Sequence, residues 1–251
     1  MTTDSSAPTA AVLIIGNEIL SGRTQDTNLN YIATKLSARG IRLAEARVVA
    51  DIEDEIVASV RALSARYSYV FTTGGIGPTH DDITADCVAK AFGVAIEEDP
   101  RIIEMMLQRY PTAELTPARR RMARIPRGAV LVDNPVSKLP GFKIGNVIVM
   151  AGVPAVMQAM LDHAATMIRS GSPMRVETIQ ADAIPEGRYG DALAEVAKAR
   201  AHVIIGSYPS FADGKFKNQI VVRGKDMAEV AEARAAVEAM LAAIRIDKPP
   251  A

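Results

Sequence analysis

The segment 69–84 places a glycine-rich turn directly after a short run of β-branched and aromatic residues. Tyr69–Thr73 has the composition of a buried strand, and Gly74, Gly75 and Gly77 follow it. Because glycine has no Cβ, backbone N–H groups in such a turn can face a bound anion. The N-terminus of a following helix would also favour negative charge. The segment therefore predicts a strand, a phosphate-binding turn and a helix.

Polar side chains suited to phosphate and metal chemistry lie in the same segment. Thr79, His80 and Thr84 carry hydrogen-bonding groups for a phosphate, and Asp81 and Asp82 carry carboxylates of the kind that hold hard cations. The pattern is neither a Walker loop nor the G-x-G-x-x-G dinucleotide motif. Two interpretations stay open on these residues alone. They form a ligand site, or the glycines only connect two elements while the aspartates cap a helix and His80 is solvated.

Short apolar runs alternate with amphipathic segments along the first two thirds of the chain. Segments 11–15, 41–49 and 69–73 resemble strands, and the stretches between them have helical spacing. This order predicts an α/β fold with a doubly wound, mostly parallel sheet. The pattern restarts after Ser170–Pro173, with strands near 176–180, 203–205 and 216–222, which predicts a second, smaller α+β domain. We therefore predict domains at 1–170 and 171–251.

In a doubly wound sheet, ligands bind beyond the carboxyl ends of the strands. Asn17 follows the first predicted strand, Asp51 the second and Gly74 the third, so we expect them to share one crevice. Asp51 and Asp82 could hold Mg²⁺ or a similar cation against a diphosphate. Such a cation would neutralise phosphate charge and orient an attacking group.

Charge and cysteine content exclude several classes of protein. The 29 Lys and Arg residues balance the 29 Asp and Glu residues, which leaves no overall basic field for nucleic acid. The run Arg119–Arg121, with Arg124 and Arg127, is either a solvated helix face or a patch that attracts an anionic nucleotide. Cys87 is the sole cysteine, so no intrachain disulfide can form, and its helical context predicts a small buried residue.

The chain contains no apolar run of the length that a membrane span requires, and Met1–Thr9 lacks a signal-peptide pattern. We therefore expect a cytoplasmic protein that does not bind membranes.

Five short segments of the chain carry a family resemblance. They are IGNEILSG at 15–22 followed by Asn28, TTGGIGPTHDDIT at 72–84, LPGF at 139–142, MAGVP at 150–154 and IGSYP at 205–209. In this order they resemble the molybdopterin-binding domain family and specifically its competence/damage-inducible protein A branch. The last segment is similar to the small domain of this branch and of eukaryotic FAD synthases, and in the fourth Ala151 replaces the usual proline.

The resemblance implies a divalent-metal-dependent nucleotide pyrophosphatase acting on ADP-ribose or FAD. Two alternatives remain: molybdopterin binding or adenylylation, and a binding module without turnover. The resemblance also implies a nucleotide or pterin as the small-molecule ligand, and a homodimer or homotrimer.

By the same resemblance Asp51 and Asp82 are the catalytic residues and ligands of Mg, Mn or Co, and the carboxylate of Asp81 in the glycine-rich segment makes it a third predicted metal ligand. Asp81 stands where relatives usually have a basic residue, and Glu18 is a candidate orienting residue. The predicted substrate-binding residues are Asn17, Glu18, Ser21, Gly22, Asn28, Gly74, Gly75, Gly77, Thr79, His80, Thr84, Ser137, Gly152 and Pro154.

Overall fold

The computed structural model describes residues 7–212 and 214–246. The chain divides between Gly171 and Ser172 into two compact units, which are described separately. Two predictions fall partly outside the described residues. The absence of a signal peptide was predicted from Met1–Thr9, of which residues 1–6 are not described, and the predicted second domain ends with residues 247–251, which are not described either.

The first unit contains eight strands and seven α-helices among its described residues. Short 3₁₀ turns occur at Thr112–Glu114 and Ala165–Met167. The strands are β1 (Thr9–Ile15), β2 (Arg42–Val49), β3 (Tyr69–Thr73), β4 (Ile96–Glu98), β5 (Arg124–Pro126), β6 (Val130–Val132), β7 (Gly141–Ile144) and β8 (Val147–Met150). The helices are α1 (Asn17–Leu20), α2 (Asn28–Ala38), α3 (Glu53–Arg66), α4 (Thr84–Phe92), α5 (Pro100–Leu107), α6 (Pro117–Arg121) and α7 (Pro154–Ala164).

Six strands form the main sheet in the order β2-β1-β3-β8-β7-β6. The pairs β1–β2, β1–β3 and β3–β8 are parallel, whereas β7 and β6 continue the sheet with antiparallel pairs. This confirms the predicted mostly parallel α/β fold. Because β2 and β3 flank β1 on opposite sides, the chain reverses its winding direction at β1. Such a reversal opens a crevice at the carboxyl ends of the strands.

Both faces of this sheet are covered, which explains why β1 is apolar along its whole length. Leu13 lies in one core with Val60 of α3 and the helices α4 and α5, whereas Val12 lies in the other with Leu161 of α7 and the helix α2. Both β1 side chains are fully buried. Burying one such side chain stabilises the folded state by about 1.5–3 kcal/mol relative to leaving it exposed.

Cys87 is buried on α4, as predicted, and this burial raises the pKa of its thiol to about 12. The thiolate is the reactive form, and an unperturbed cysteine has a pKa of about 8.5. At pH 8 we therefore expect the native thiol to react with Ellman's reagent about 1000-fold more slowly than the urea-unfolded chain. Rapid stoichiometric labelling of the native protein would contradict the buried placement.

The second unit is a small α+β domain, as predicted. Its three-stranded antiparallel sheet has the order β10-β13-β9, and a separate two-stranded hairpin pairs β11 with β12. Side chains of both helices share one core with this sheet. The elements are β9 (Arg175–Gln180), α8 (Glu186–Lys198), β10 (Ile204–Tyr208), β11 (Phe211–Ala212), β12 (Lys215–Phe216), β13 (Gln219–Gly224) and α9 (Met227–Ile246).

The prediction of a single strand near 216–222 is wrong, because this segment contains the end of one strand and the beginning of another. β12 ends at Phe216 and β13 begins at Gln219. Between them the fully buried Asn218 donates its side-chain N–H to the Ile184 carbonyl at 2.9 Å and accepts from the Ser210 N–H at 3.1 Å. A buried amide needs such partners, and they interrupt the strand.

Among the described residues, no helix combines the length and apolar character needed to cross a membrane.

Candidate functional site

The carboxyl ends of β1, β3 and β8 lie level with one another. Thr73 pairs with Ile14 on one side and with Met150 on the other. The glycine turn after β3 therefore emerges between the loops that follow β1 and β8, at the reversal point of the sheet.

Gly74 fits this position because the neighbouring backbone comes very close. Its φ is +100°, and a Cβ there would lie 2.1 Å from the Ile15 carbonyl oxygen. The Gly74 N–H donates to the Met150 carbonyl at 3.2 Å. A Cβ on Gly152 would lie 3.3 Å from the Gly74 Cα. Gly74 thus packs the strand ends together, and its N–H already has an acceptor.

Thr84 attaches the glycine turn to the start of α4. Its buried hydroxyl donates to the Gly74 carbonyl at 3.0 Å, and its N–H donates to the Gly75 carbonyl at 3.0 Å. Gly75 has a φ of +67°, and a Cβ there would lie 2.1 Å from the Thr84 Oγ1. Thr84 therefore fixes the shape of the turn.

The next three residues of the turn are partly buried. Within residues 7–212 and 214–246, the N–H groups of Gly75, Ile76 and Gly77 donate to no acceptor. Pro78 follows and has no N–H at all. Consecutive unbonded N–H groups in a turn form a concavity that binds anions.

Asp82 lies directly against this turn. Its Oδ2 accepts from the Thr79 N–H at 2.8 Å and from the Thr79 hydroxyl. A Cβ on Gly77 would lie 2.6 Å from the same oxygen. The Asp82 Oδ1 has no hydrogen-bond donor within the described parts of the chain, so Thr79 orients the carboxylate and leaves one oxygen for a ligand.

Asp51 joins the end of β2 to the loop after β1. Its Oδ2 accepts from the Asn17 N–H at 2.9 Å. The Glu18 carboxylate folds back over Gly16, where a Cβ would lie 2.4 Å from it. Asn17 therefore contributes a backbone contact, while the side chains of Asn17 and Glu18 are exposed.

Ser21 and Gly22 form the exposed turn that follows α1. The Ser21 hydroxyl donates to the Glu18 carbonyl at 3.3 Å, and Gly22 has a φ of +73° with open space around it. Both residues lie in the loop after β1.

Asn28 connects α2 to the turn after β8. This buried side chain donates to the Gly152 carbonyl at 2.7 Å, while its Oδ1 has no partner in the described residues. Pro154 follows as the exposed first residue of α7. Asn28 and Gly152 thus meet at the same edge of the sheet as Gly74.

Ser137 and His80 form their side-chain contacts within their own loops. The Ser137 hydroxyl contacts the Asn134 side chain and donates to the Leu139 carbonyl at 3.4 Å, so it belongs to the loop before β7. His80 has a side chain that is 96% exposed, and its Nδ1 lies 3.9 Å from Asp81. Such an arrangement is typical of a solvated loop histidine.

No three His, Cys, Asp or Glu residues in the described ranges are grouped to hold a metal ion. A complete metal site is therefore not formed by Asp51, Asp81 and Asp82 on their own. Asp51 does not line the pocket beside Asp82. Mg²⁺ is usually held by one or two carboxylates together with substrate phosphates and water. The donor set fits a cation of that kind, shared with a phosphate ligand.

The pocket beside the glycine turn also contains residues that we did not predict. Asp86, Arg121 and Arg124 line it together with Gly75, Gly77 and Asp82. The only signal in the sequence was the basic run at 119–127, whose two interpretations were open.

Four of the five arginines in that run form ion pairs, as expected of a solvated surface. The fifth, Arg121, has no acidic partner in the described residues. The pairs are Arg119 with Glu114 at 3.0 Å, Arg120 with Glu98, Arg124 with Asp86 at 2.5 Å, and Arg127 with Glu97.

Comparison with known proteins agrees with this architecture. Residues 11–170 match the sequence model of a family described as probable molybdopterin binding domain. The chain belongs to this family. Residues 173–249 of this molybdopterin-binding-domain protein match the model of the FAD synthase middle domain.

Individual relatives place the chain in the CinA-like branch. A protein of Pyrobaculum arsenaticum is 34% identical over 210 residues, which cover 80% of this chain and 79% of that protein. A CinA-like protein of Myxococcus xanthus is 30% identical over 241 residues, or 90% of this chain and 57% of that protein. The crystal structure of Thermoplasma acidophilum CinA, described as having unknown function, gives a TM-score of 0.61 at 37% identity. It covers 65% of this chain and 99% of that one.

Proposed function

We propose that this CinA-like protein hydrolyses the diphosphate bond of a nucleotide such as ADP-ribose or FAD with the help of Mg²⁺, Mn²⁺ or Co²⁺. The observation that carries the proposal is the run of three unbonded N–H groups at Gly75–Gly77 beside the free oxygen of Asp82. Phosphoryl chemistry depends mainly on positioning and charge stabilisation, which these groups supply.

Each residue has a defined part in this proposal. The N–H groups of Gly75–Gly77 donate hydrogen bonds to phosphate oxygens, and Thr79 orients the Asp82 carboxylate beside them. Asp82 would hold the cation together with phosphate oxygens and water, and Asp51, whose Oδ2 accepts from the Asn17 N–H, is the second predicted carboxylate. When bound, the cation neutralises phosphate charge and lowers the pKa of a coordinated water. For ADP-ribose, water adds to one phosphorus, the bridging P–O bond breaks, and AMP and ribose 5-phosphate result.

The second domain supports a dinucleotide substrate. It matches the middle domain of FAD synthase, a protein whose name refers to a flavin dinucleotide. FAD and ADP-ribose share an adenosine diphosphate group, so one phosphate site would serve both substrates. A dimer or trimer, and a cytoplasmic location, are part of the same proposal.

Molybdopterin binding is the second candidate function. The family description of residues 11–170 favours it, and molybdopterin carries a phosphate that the glycine turn would bind equally well. The two candidates differ in turnover, because only the first releases AMP from a dinucleotide.

Phosphorus NMR of the protein incubated with ADP-ribose or FAD distinguishes these functions. We expect AMP to appear with Mg²⁺, Mn²⁺ or Co²⁺ and to be absent with EDTA. Intact dinucleotides under every metal condition would contradict the pyrophosphatase, and saturable molybdopterin binding in the same preparation would establish the second candidate.

A further inference from the structure

The pocket beside the glycine turn combines backbone donors with side chains of both charges. Its lining includes Gly75–Gly77, Asp82, Asp86, Arg121 and Arg124. The space in it that a water-sized group can occupy is about 20 Å³. A single water-sized group fills such a volume, so one phosphate oxygen can enter while the rest of the phosphate lies at the mouth.

Among the described residues, Arg121 differs from the other arginines of its run in having no acidic partner. It is the last residue of α6 and is half-buried. Arg124, the other pocket arginine, is bound to Asp86 at 2.5 Å, and Arg120 on the same helix is bound to Glu98. Within residues 7–212 and 214–246, Arg121 is therefore the arginine of this pocket that forms no ion pair.

We propose that Arg121 is the phosphate-binding side chain of this pocket. A guanidinium forms paired hydrogen bonds with phosphate oxygens, and these charge-assisted bonds are stronger than neutral ones. A phosphate at the pocket mouth accepts from Arg121 on one side and from the N–H groups of Gly75–Gly77 on the other. That the bound phosphate belongs to a diphosphate bond that is cleaved rests on the proposed function. The binding of phosphate by Arg121 does not depend on cleavage.

Charge balance predicts how this site responds to a cation. Arg124 and Asp86 compensate each other, which leaves Arg121 and Asp82 as the two remaining charged residues of the pocket lining. A phosphate attracted by Arg121 is repelled by the Asp82 carboxylate, and a divalent cation removes that repulsion. Phosphate affinity is therefore expected to rise when Mg²⁺ is added, and the arginine contribution persists in its absence.

Titration calorimetry with methylenediphosphonate, an analogue with a non-cleavable bridge, tests the assignment. With Mg²⁺ present, we expect Arg121→Gln to weaken binding at least 10-fold, as for a lost charge-assisted hydrogen bond. Arg120→Gln removes the same charge from the same helix but from an arginine paired with Glu98, so it should change affinity less than about 2-fold. Arg121→Lys keeps the charge without the planar fork and should fall between wild type and Arg121→Gln.

Three outcomes would overturn the assignment. They are wild-type protein that does not bind the diphosphonate, equal affinities of wild type and Arg121→Gln, and equal losses in Arg121→Gln and Arg120→Gln. Circular dichroism spectra that coincide for all variants ensure that the comparison concerns folded protein.

The same variants separate this proposal from the pyrophosphatase proposal. If the chain cleaves ADP-ribose, Arg121→Gln should raise KM about 10-fold, because phosphate binding in the ground state is lost. If no cleavage occurs, the calorimetric difference between the two arginine variants still decides whether Arg121 binds phosphate.

Discussion

Asp82→Asn is expected to lower the kcat of metal-dependent ADP-ribose cleavage by at least about 100-fold, the loss that removal of a charge-stabilising group typically causes. Asparagine retains a carbonyl oxygen that can accept the Thr79 N–H, so the turn is expected to keep its shape. What it loses is the negative charge on the oxygen that faces the ligand. Initial rates of AMP release, measured by chromatography at saturating substrate and metal, provide the comparison.

Asp162→Asn is the matched control for that experiment. Asp162 is an exposed residue of α7 that pairs with Lys35 at 3.3 Å, so its replacement changes the net charge equally without touching the glycine turn. We expect this control to keep wild-type kcat. A folded Asp82→Asn variant with the activity of Asp162→Asn would remove Asp82 from the mechanism.

Gly74→Ala is expected to have the largest effect on stability. The added Cβ would lie 2.1 Å from the Ile15 carbonyl oxygen, and the φ of +100° is itself unfavourable for alanine. Relief requires β1 and β3 to separate at the reversal point of the sheet. We expect a loss of about 3 kcal/mol or more in the free energy of unfolding, measured by urea denaturation followed by circular dichroism.

Gly93→Ala separates backbone strain from the steric contact. Gly93 ends α4 with a φ of +68°, and a Cβ there meets nothing within 4 Å. We expect only the strain of a left-handed alanine, about 1–2 kcal/mol. If Gly74→Ala cost no more than Gly93→Ala, the close approach to Ile15 would be refuted. Hydrogen exchange of peptides from β1 and β3 would show whether the damage is local.

The alternation of apolar runs was sufficient to predict the parallel strands β1, β2 and β3 of the main sheet. The continuous burial of β1 follows from helices on both faces, and the pattern at 11–15 contained that information. The glycine turn between β3 and α4 was equally predictable from the sequence, since a positive φ and a close backbone contact both favour glycine.

Features that depend on distant partners were not predictable. β4 and β5 are three residues each and are defined only by their pairing with one another, across the helices α5 and α6. Asn218 splits the strand predicted at 216–222 because its amide bonds to Ile184 and Ser210. Neither relationship leaves a periodic signal in the sequence.

The same limit applies to the candidate site. Sequence order indicated that Asp51 and Asp82 follow strands that end at one edge, but it did not show that Thr79 and the Asn17 backbone hold the two carboxylates. Arg121 stood within a basic run, and only the ion pairs of its neighbours distinguish it. The roles of the predicted substrate-binding residues remain predictions until a ligand is bound.

Mass spectrometry of the products formed from ADP-ribose in ¹⁸O-labelled water, with Mg²⁺ present, tests the central claim most directly. Hydrolysis at the diphosphate predicts AMP and ribose 5-phosphate in equal amounts, with one ¹⁸O atom in only one of the two products. The labelled product identifies the phosphorus that water attacks. Recovery of intact, unlabelled ADP-ribose after prolonged incubation with this and each other candidate metal would contradict the assignment of the glycine turn and Asp82 to diphosphate cleavage.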